Sequence, residues 1–167
     1  MRASTHLAPI LAIALLAPCP TLAQEATPPM QEAERDATAA AQRRPQTGNA
    51  WIDARLLDMD DYAARYRDAF VDEIVRYHEA PRALVEDALR DDAATPGDVY
   101  YACALAQVTG RPCRAVLDAW RDDHADGWQG VVERLGVASG AAIHRRIRGD
   151  ITESYVRWAR PLDPGAR

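Results

Sequence analysis

Apolar side chains recur every three or four positions along most of the chain between Trp51 and Pro161. Such spacing places them on one face of a helix. The first stripe predicts a core-facing helix from about Asp60 to His78. Its members are Met59, Tyr62, Tyr66, Phe70, Ile74 and Tyr77.

The clearest start of a helix lies at Thr95-Pro96-Gly97-Asp98. Thr95 is a preferred N-cap, proline suits the first helical position, and an acid three residues after the cap can bind its backbone amide. Residues 99–108 are then apolar on nearly all sides. We therefore predict that this helix is the central, most buried one and that it ends at Gly110.

Shorter stripes predict the rest of the array. They lie at 84–89, 113–120, 128–135, 143–147 and 151–158. Ser139 is the predicted cap of the fourth of these helices, and Asp150 with Glu153 the predicted start of the last. No stretch shows sustained alternation of period two, so the expected fold is all-α, a compact array of about six or seven short helices.

The first 23 residues have the pattern of an export signal. Arg2 supplies a positive start, residues 7–17 are apolar, and Thr21-Leu22-Ala23 is a small-x-small cleavage site. A membrane span needs about 20 apolar residues, so a permanent span is not expected. The protein is predicted to be periplasmic or secreted after cleavage behind Ala23.

The amino-acid composition predicts where the folded domain begins and ends. Residues 24–50 contain several prolines and no aromatic side chain before Trp51, which predicts a flexible linker. A single helical domain is expected at 51–161 and a disordered tail at 162–167. Lipid attachment at Cys19 is disfavoured because Pro18 stands where a small residue is expected.

The net charge of the chain disfavours nucleic acid as a partner. The 167 residues carry a formal net charge of −5, and removal of Arg2 with the signal would leave −6. An acidic surface gives no general attraction to nucleic acid. All 20 basic residues are arginine, which indicates a coding bias rather than a function.

Removal of the signal would leave Cys103 and Cys113 as the remaining cysteines. A pair of cysteines in an oxidising compartment usually forms a disulfide. Two antiparallel helices that turn near Gly110 would offset the pair by about 7 Å along the axis, beyond bridging reach, although a steep crossing angle would remove the offset. A disulfide and two buried thiols both stay open.

The sequence contains no recognisable catalytic, metal-binding or cofactor-binding motif. The acidic cluster around His124 lacks a second histidine at a ligand spacing, so neither metal nor cofactor is expected. No catalytic residue stands out, and we expect no enzymatic activity. Tryptophan is enriched at interaction hot spots, which makes Trp120 and Trp128, on either side of His124, the predicted interaction surface.

Residues 128–148 give one alternative. A helix, a glycine turn at Gly136 and a second helix with Arg145 and Arg146 resemble a DNA-binding helix-turn-helix. An export signal and a net acidic domain both argue against DNA binding. The alternative holds only if the N-terminus is not a functional signal.

A broader resemblance rests on residues 96–102, the Gly110-Arg111-Pro112 turn and residues 128–148. Together they resemble small exported all-helical proteins of uncharacterised function from Gram-negative bacteria. The resemblance implies an exported, all-α protein and carries no activity. The expected function is a periplasmic interaction or scaffold module that binds an envelope protein, with no nucleic acid as partner and no prediction of oligomeric state.

Overall fold

This computed structural model describes residues 45–91, 93–137 and 140–162. Within them the chain forms seven α-helices and no β-strand, which confirms the all-α prediction. They are α1 (Ala50–Arg65), α2 (Arg67–Tyr77), α3 (Arg82–Ala88), α4 (Pro96–Thr109), α5 (Cys113–Asp122), α6 (Gly127–Arg134) and α7 (Ala141–Arg157). The predicted export signal with Cys19, most of the predicted linker, Ser139 and residues 163–167 lie outside the described residues.

The ordered domain extends beyond both boundaries expected from the sequence. The Pro45 carbonyl accepts a hydrogen bond from the Trp128 amide at 3.0 Å, and Thr47 is buried. Asn49 caps α1 by accepting from two backbone amides. At the other end, Leu162 packs against the core. Residues 45–50 and 162 therefore belong to the folded domain, because their backbone or side chains have partners in it.

The helix predicted over 60–78 begins earlier and is broken at Tyr66. The backbone of Tyr66 (φ −131°, ψ 50°) leaves the helical region between α1 and α2. Phe70 and Ile74 stay buried, whereas Tyr66 at the break and Tyr77 at the C-terminal end of α2 are 56% and 45% exposed. Two members of the predicted core face therefore lie on the surface.

Helix α4 is the centre of the fold, which confirms its predicted burial. Residues 99–105 are inaccessible or nearly so, and α4 packs against α1, α5 and α7. The predicted capping box is present: Thr95 Oγ1 accepts from the Asp98 amide at 3.2 Å, and the Thr95 amide donates to Asp98 Oδ2 at 3.0 Å. Gly110 ends the helix with φ 67°.

Helices α1 and α4 approach each other closely at Gly97. A Cβ atom on Gly97 would lie 2.5 Å from the backbone oxygen of Leu56, which leaves no room for a side chain. The Gly97 amide donates to Asp60 Oδ1 at 2.7 Å. Glycine therefore permits both the close approach and this hydrogen bond.

Helix α7 is one continuous helix where the sequence predicted two. Asp150, the expected start of the second, lies inside it. Ile147, Ile151 and Tyr155 form one fully buried stripe. A break at Gly149 would turn part of that stripe away from the core, so tertiary packing outweighs the local capping signal.

Candidate interaction surface

The structure places the predicted interaction residues Trp120, His124 and Trp128 in one stack. The ring centroids of Trp120 and Trp128 are 4.3 Å apart, and those of Trp120 and His124 are 4.8 Å apart. Both tryptophans are buried, and His124 is exposed. The three side chains lie together, but the burial of both indoles contradicts the predicted exposed surface at Trp120 and Trp128.

Both indoles are buried because each N–H group has an acceptor inside the protein. Trp128 Nε1 donates to Asp98 Oδ1 at 2.8 Å, and Trp120 Nε1 donates to the Ala93 carbonyl at 2.9 Å. Burial raises the pKa of Asp98, although hydrogen bonds from Thr95 and Trp128 oppose the rise. These tryptophans belong to the core, where a partner cannot contact them.

Cys103 and Cys113 form a disulfide, with their Cα atoms 4.6 Å apart. The offset expected from the sequence assumed a helical rise on both sides of the turn. Pro112 instead has extended backbone (φ −63°, ψ 135°). Gly110 reverses the chain with its left-handed backbone, and α5 begins only at Cys113, which the extended Pro112 places beside Cys103.

The exposed large apolar side chains lie elsewhere. Tyr66 and Tyr77 are about half exposed, and Val156 on α7 is 72% exposed. We call Tyr66, Tyr77 and Val156, with the partly buried Trp158 and the Tyr62 ring beneath it, the aromatic face. Its residues come from both ends of α2, from the end of α1 and from the end of α7.

Ring packing holds part of this face in place. Tyr62 stacks on Trp158 with centroids 4.3 Å apart, and Tyr66 lies 5.1 Å from Tyr62. Phe70 supports Trp158 from the core at 6.1 Å. The exposed Tyr66 ring is therefore anchored on a continuous aromatic cluster.

Arg157 holds Tyr77, at the other end of the aromatic face, in place. Its guanidinium lies 3.7 Å from the centroid of the Tyr77 ring, a cation–π contact. The same group forms a two-point ion pair with Glu73, with Nε 2.9 Å from Oε1 and 3.2 Å from Oε2. Glu73 is only 4% exposed, so Arg157 connects a buried carboxylate to an exposed tyrosine.

Behind Arg157 lies a buried polar network that the sequence did not indicate. Ser154 Oγ donates to Glu73 Oε1 at 2.6 Å and lies 2.8 Å from the Tyr100 hydroxyl. All three side chains are buried. Ser154 lies on the buried side of α7, so its hydroxyl is inaccessible from the surface.

A second ion pair borders the aromatic face. Arg160 pairs with Asp58, which also accepts a hydrogen bond from the Tyr155 hydroxyl. Burial acts to raise the pKa of Asp58, but the hydrogen bonds from Arg160 and Tyr155 hold it below its usual value. The carboxylate thus stays charged and fixes the C-terminal end of the described chain to α1.

A cleft of about 520 Å³ opens between the α2–α3 connection and the turn from α4 to α5. Buried His78 lines it, and its Nδ1 lies 3.2 Å from Gln107 Oε1. Burial lowers the pKa of His78, which favours the neutral imidazole at neutral pH. Arg111 and Arg114 lie on the same wall as Cys113.

One carboxyl group has a strongly altered proton affinity. Burial raises the pKa of Asp60 to about 6, even though the Gly97 amide donates to it. A carboxyl whose pKa is higher in the folded state binds more protons when folded. Asp60 therefore stabilises the fold below about pH 4, and this contribution is lost as the pH rises through about 6.

We expect Asp60→Asn to stabilise the protein more at pH 7 than at pH 4.5, since asparagine can still accept from the Gly97 amide without a buried charge. One pKa unit corresponds to about 1.4 kcal/mol and partial exposure screens the charge, so the difference should be about 1 to 2 kcal/mol. Urea unfolding at both pH values measures it. Asp68→Asn, at an exposed position on α2, is the control and should show no such difference between the two pH values; the same behaviour of Asp60→Asn would contradict the prediction.

The predicted helix-turn-helix segment has a different geometry. Helix α6 packs mainly on α5, whereas α7 packs on α4 and α1. Residues 135–140 separate them, and α7 runs on to Arg157. The two helices thus lack the close mutual packing of a DNA-binding helix pair.

Among the described residues, no helix is both long enough and apolar enough to cross a bilayer. No three histidine, cysteine or acidic side chains among them come together in a way that could hold a metal ion.

The aromatic face thus consists of exposed tyrosines on a fixed aromatic cluster, with two arginines paired to carboxylates beside them. No family model, no curated protein and no solved structure matches this chain.

Proposed function

We propose that this protein is a non-catalytic helical interaction module of the bacterial periplasm, and that it binds a partner protein through the aromatic face. The exposure of Tyr66 and Tyr77 carries the proposal. Tyrosine, tryptophan and arginine are the residues most enriched at interaction hot spots. Here all three types meet on one surface.

The aromatic face is also ordered before any partner binds. Tyr66 rests on Tyr62, and Tyr77 rests on an arginine that Glu73 already holds. Immobilising a side chain costs about 0.5 to 1.5 kcal/mol on binding. Rings that are already held lose less of this entropy, which supports their use as binding anchors.

The proposed compartment rests on the N-terminal pattern of residues 1–23. The Cys103–Cys113 disulfide supports it, because such bonds persist in oxidising compartments such as the periplasm. The partner would then be a protein of the cell envelope.

Site-specific photo-crosslinking in cells tests this function. We expect a photoreactive side chain at position 66, 77 or 156 to give one common adduct of defined mass. Asp118, which is exposed on α5 away from this face, is the matched control position and should give none. The recovered protein should begin at Gln24 if cleavage follows Ala23.

Two outcomes would contradict the proposal. Equal adducts at position 118 and at the aromatic face would indicate nonspecific contact. A protein that retains residues 1–23 and stays in the cytoplasm would remove the periplasmic assignment, while a common adduct would still support the aromatic face as a binding surface.

A further inference from the structure

Two guanidinium groups share one partly buried tryptophan at the other end of the α1–α7 contact. The Arg148 Cζ atom lies 4.7 Å from the centroid of the Trp51 ring, and the Arg55 Cζ atom lies 5.7 Å from it. Arg145 is exposed one turn before Arg148 on α7. We call Trp51, Arg55, Arg145 and Arg148 the arginine platform.

The arginines of the platform form no ion pair in the part of the chain that the structure describes. Neither Arg55, Arg145 nor Arg148 has a carboxylate within ion-pair distance there, whereas Arg157 and Arg160 are both paired. Two like charges held against one ring repel each other. An anion that contacts both arginines would reduce this repulsion.

Two buried donors belong to the same cluster. Among the described residues, Trp51 Nε1 and Arg55 Nε have no acceptor. A buried donor without a partner costs about 1 to 3 kcal/mol. The cluster thus has an excess of N–H donors as well as of positive charge, and both are complementary to an oxyanion.

We propose that the arginine platform binds a small phosphate-bearing ligand. Guanidinium groups on two different helices need an anion with more than two oxygens, so that each can donate a pair of hydrogen bonds. A phosphate group meets this need, and a carboxylate has one oxygen too few. The source is a free phosphate compound or the headgroup of an anionic lipid.

Amide shifts of the mature protein, titrated with inorganic phosphate in a phosphate-free buffer, test the site. Residues 144–149 and the Trp51 indole should show saturable shifts. The double change Arg55→Gln with Arg148→Gln should weaken binding about tenfold or more, since a hydrogen bond to a charged group contributes about 1.5 to 3 kcal/mol. Arg65→Gln with Arg67→Gln removes the same charge from exposed positions and should leave the affinity within about twofold.

Arg148→Lys keeps the charge but loses the planar fork, so an intermediate affinity is expected from a variant that retains the fold. Vesicles of phosphatidylcholine with and without phosphatidylglycerol distinguish the sources. Binding to the anionic vesicles that free phosphate displaces assigns a lipid headgroup, and binding of phosphate alone assigns a soluble ligand.

Three outcomes would overturn the inference: no saturable shift with phosphate, equal weakening in the control pair, or tighter binding to duplex DNA than to either probe. The last would assign the arginines to a nucleic-acid backbone. None of these results affects the aromatic face, which lies at the opposite end of α1.

Discussion

Replacing Arg157 with alanine is expected to lower the free energy of unfolding by about 3 kcal/mol, because the Glu73 carboxylate loses its ion partner while it stays buried. Removing one member of a buried ion pair costs about 3 to 5 kcal/mol, and the partial exposure of Arg157 favours the lower end. Urea unfolding followed by circular dichroism measures the change.

Arg76→Ala is the matched control. Arg76 also lies four residues after an acid, Asp72, but both side chains are exposed, so the expected loss is at most about 1 kcal/mol. Adding Glu73→Gln to Arg157→Ala should recover part of the stability, since it removes the unpaired charge. Equal losses for Arg157→Ala and Arg76→Ala would show that the buried ion pair is not the cause.

Reduction of the Cys103–Cys113 disulfide is expected to lower the unfolding free energy by about 3 kcal/mol. The bond closes a short loop, since the two cysteines are 10 residues apart, and the chain-entropy model gives about this value. The midpoint of urea unfolding should fall by about 1 to 3 M. The double change Cys103→Ala with Cys113→Ala should unfold at the same urea concentration with and without reductant.

The contrary result is a urea midpoint of the wild-type protein that reductant leaves unchanged. Thiol titration must show two free thiols in that sample, so that reduction is known to be complete. That result would mean that the turn itself fixes the start of α5. The bond would then contribute no stability, and the prediction would be wrong.

The sequence predicted helices best where their signals are local. The Thr95–Asp98 capping box and the glycine after α4 were sufficient to place the central helix, since both act within one turn. The break at Tyr66 and the continuity of α7 through Asp150 were not predictable in the same way. Packing against distant helices decides those two points.

The surface was harder to predict than the core. A stripe of six apolar residues gave no sign that Tyr66 and Tyr77 would turn outward, because Tyr66 lies at an unpredicted break and Tyr77 at the end of α2. Trp120 and Trp128 were expected outside, yet acceptors on Ala93 and Asp98 lie beside their indoles. Such acceptors are distant in sequence, so no local pattern reveals them.

Glu73 and Ser154 show the same limit. Each is an ordinary polar residue on a helix in the sequence, and 81 positions separate them. Only the docking of α7 brings them together. To predict this contact from the sequence, one would have to know beforehand which face of α7 is buried.

The contacts between α1 and the end of the chain also determine when folding can finish. Asp58 pairs with Arg160, 102 positions later, and Thr47 lies against His144, 97 positions later. Such distant contacts form late, because the loop between them must close first. While the chain is being synthesised, the side of α1 that carries Asp58 has no partner until α7 and Arg160 have emerged. The domain therefore completes its fold only after Arg160 has emerged.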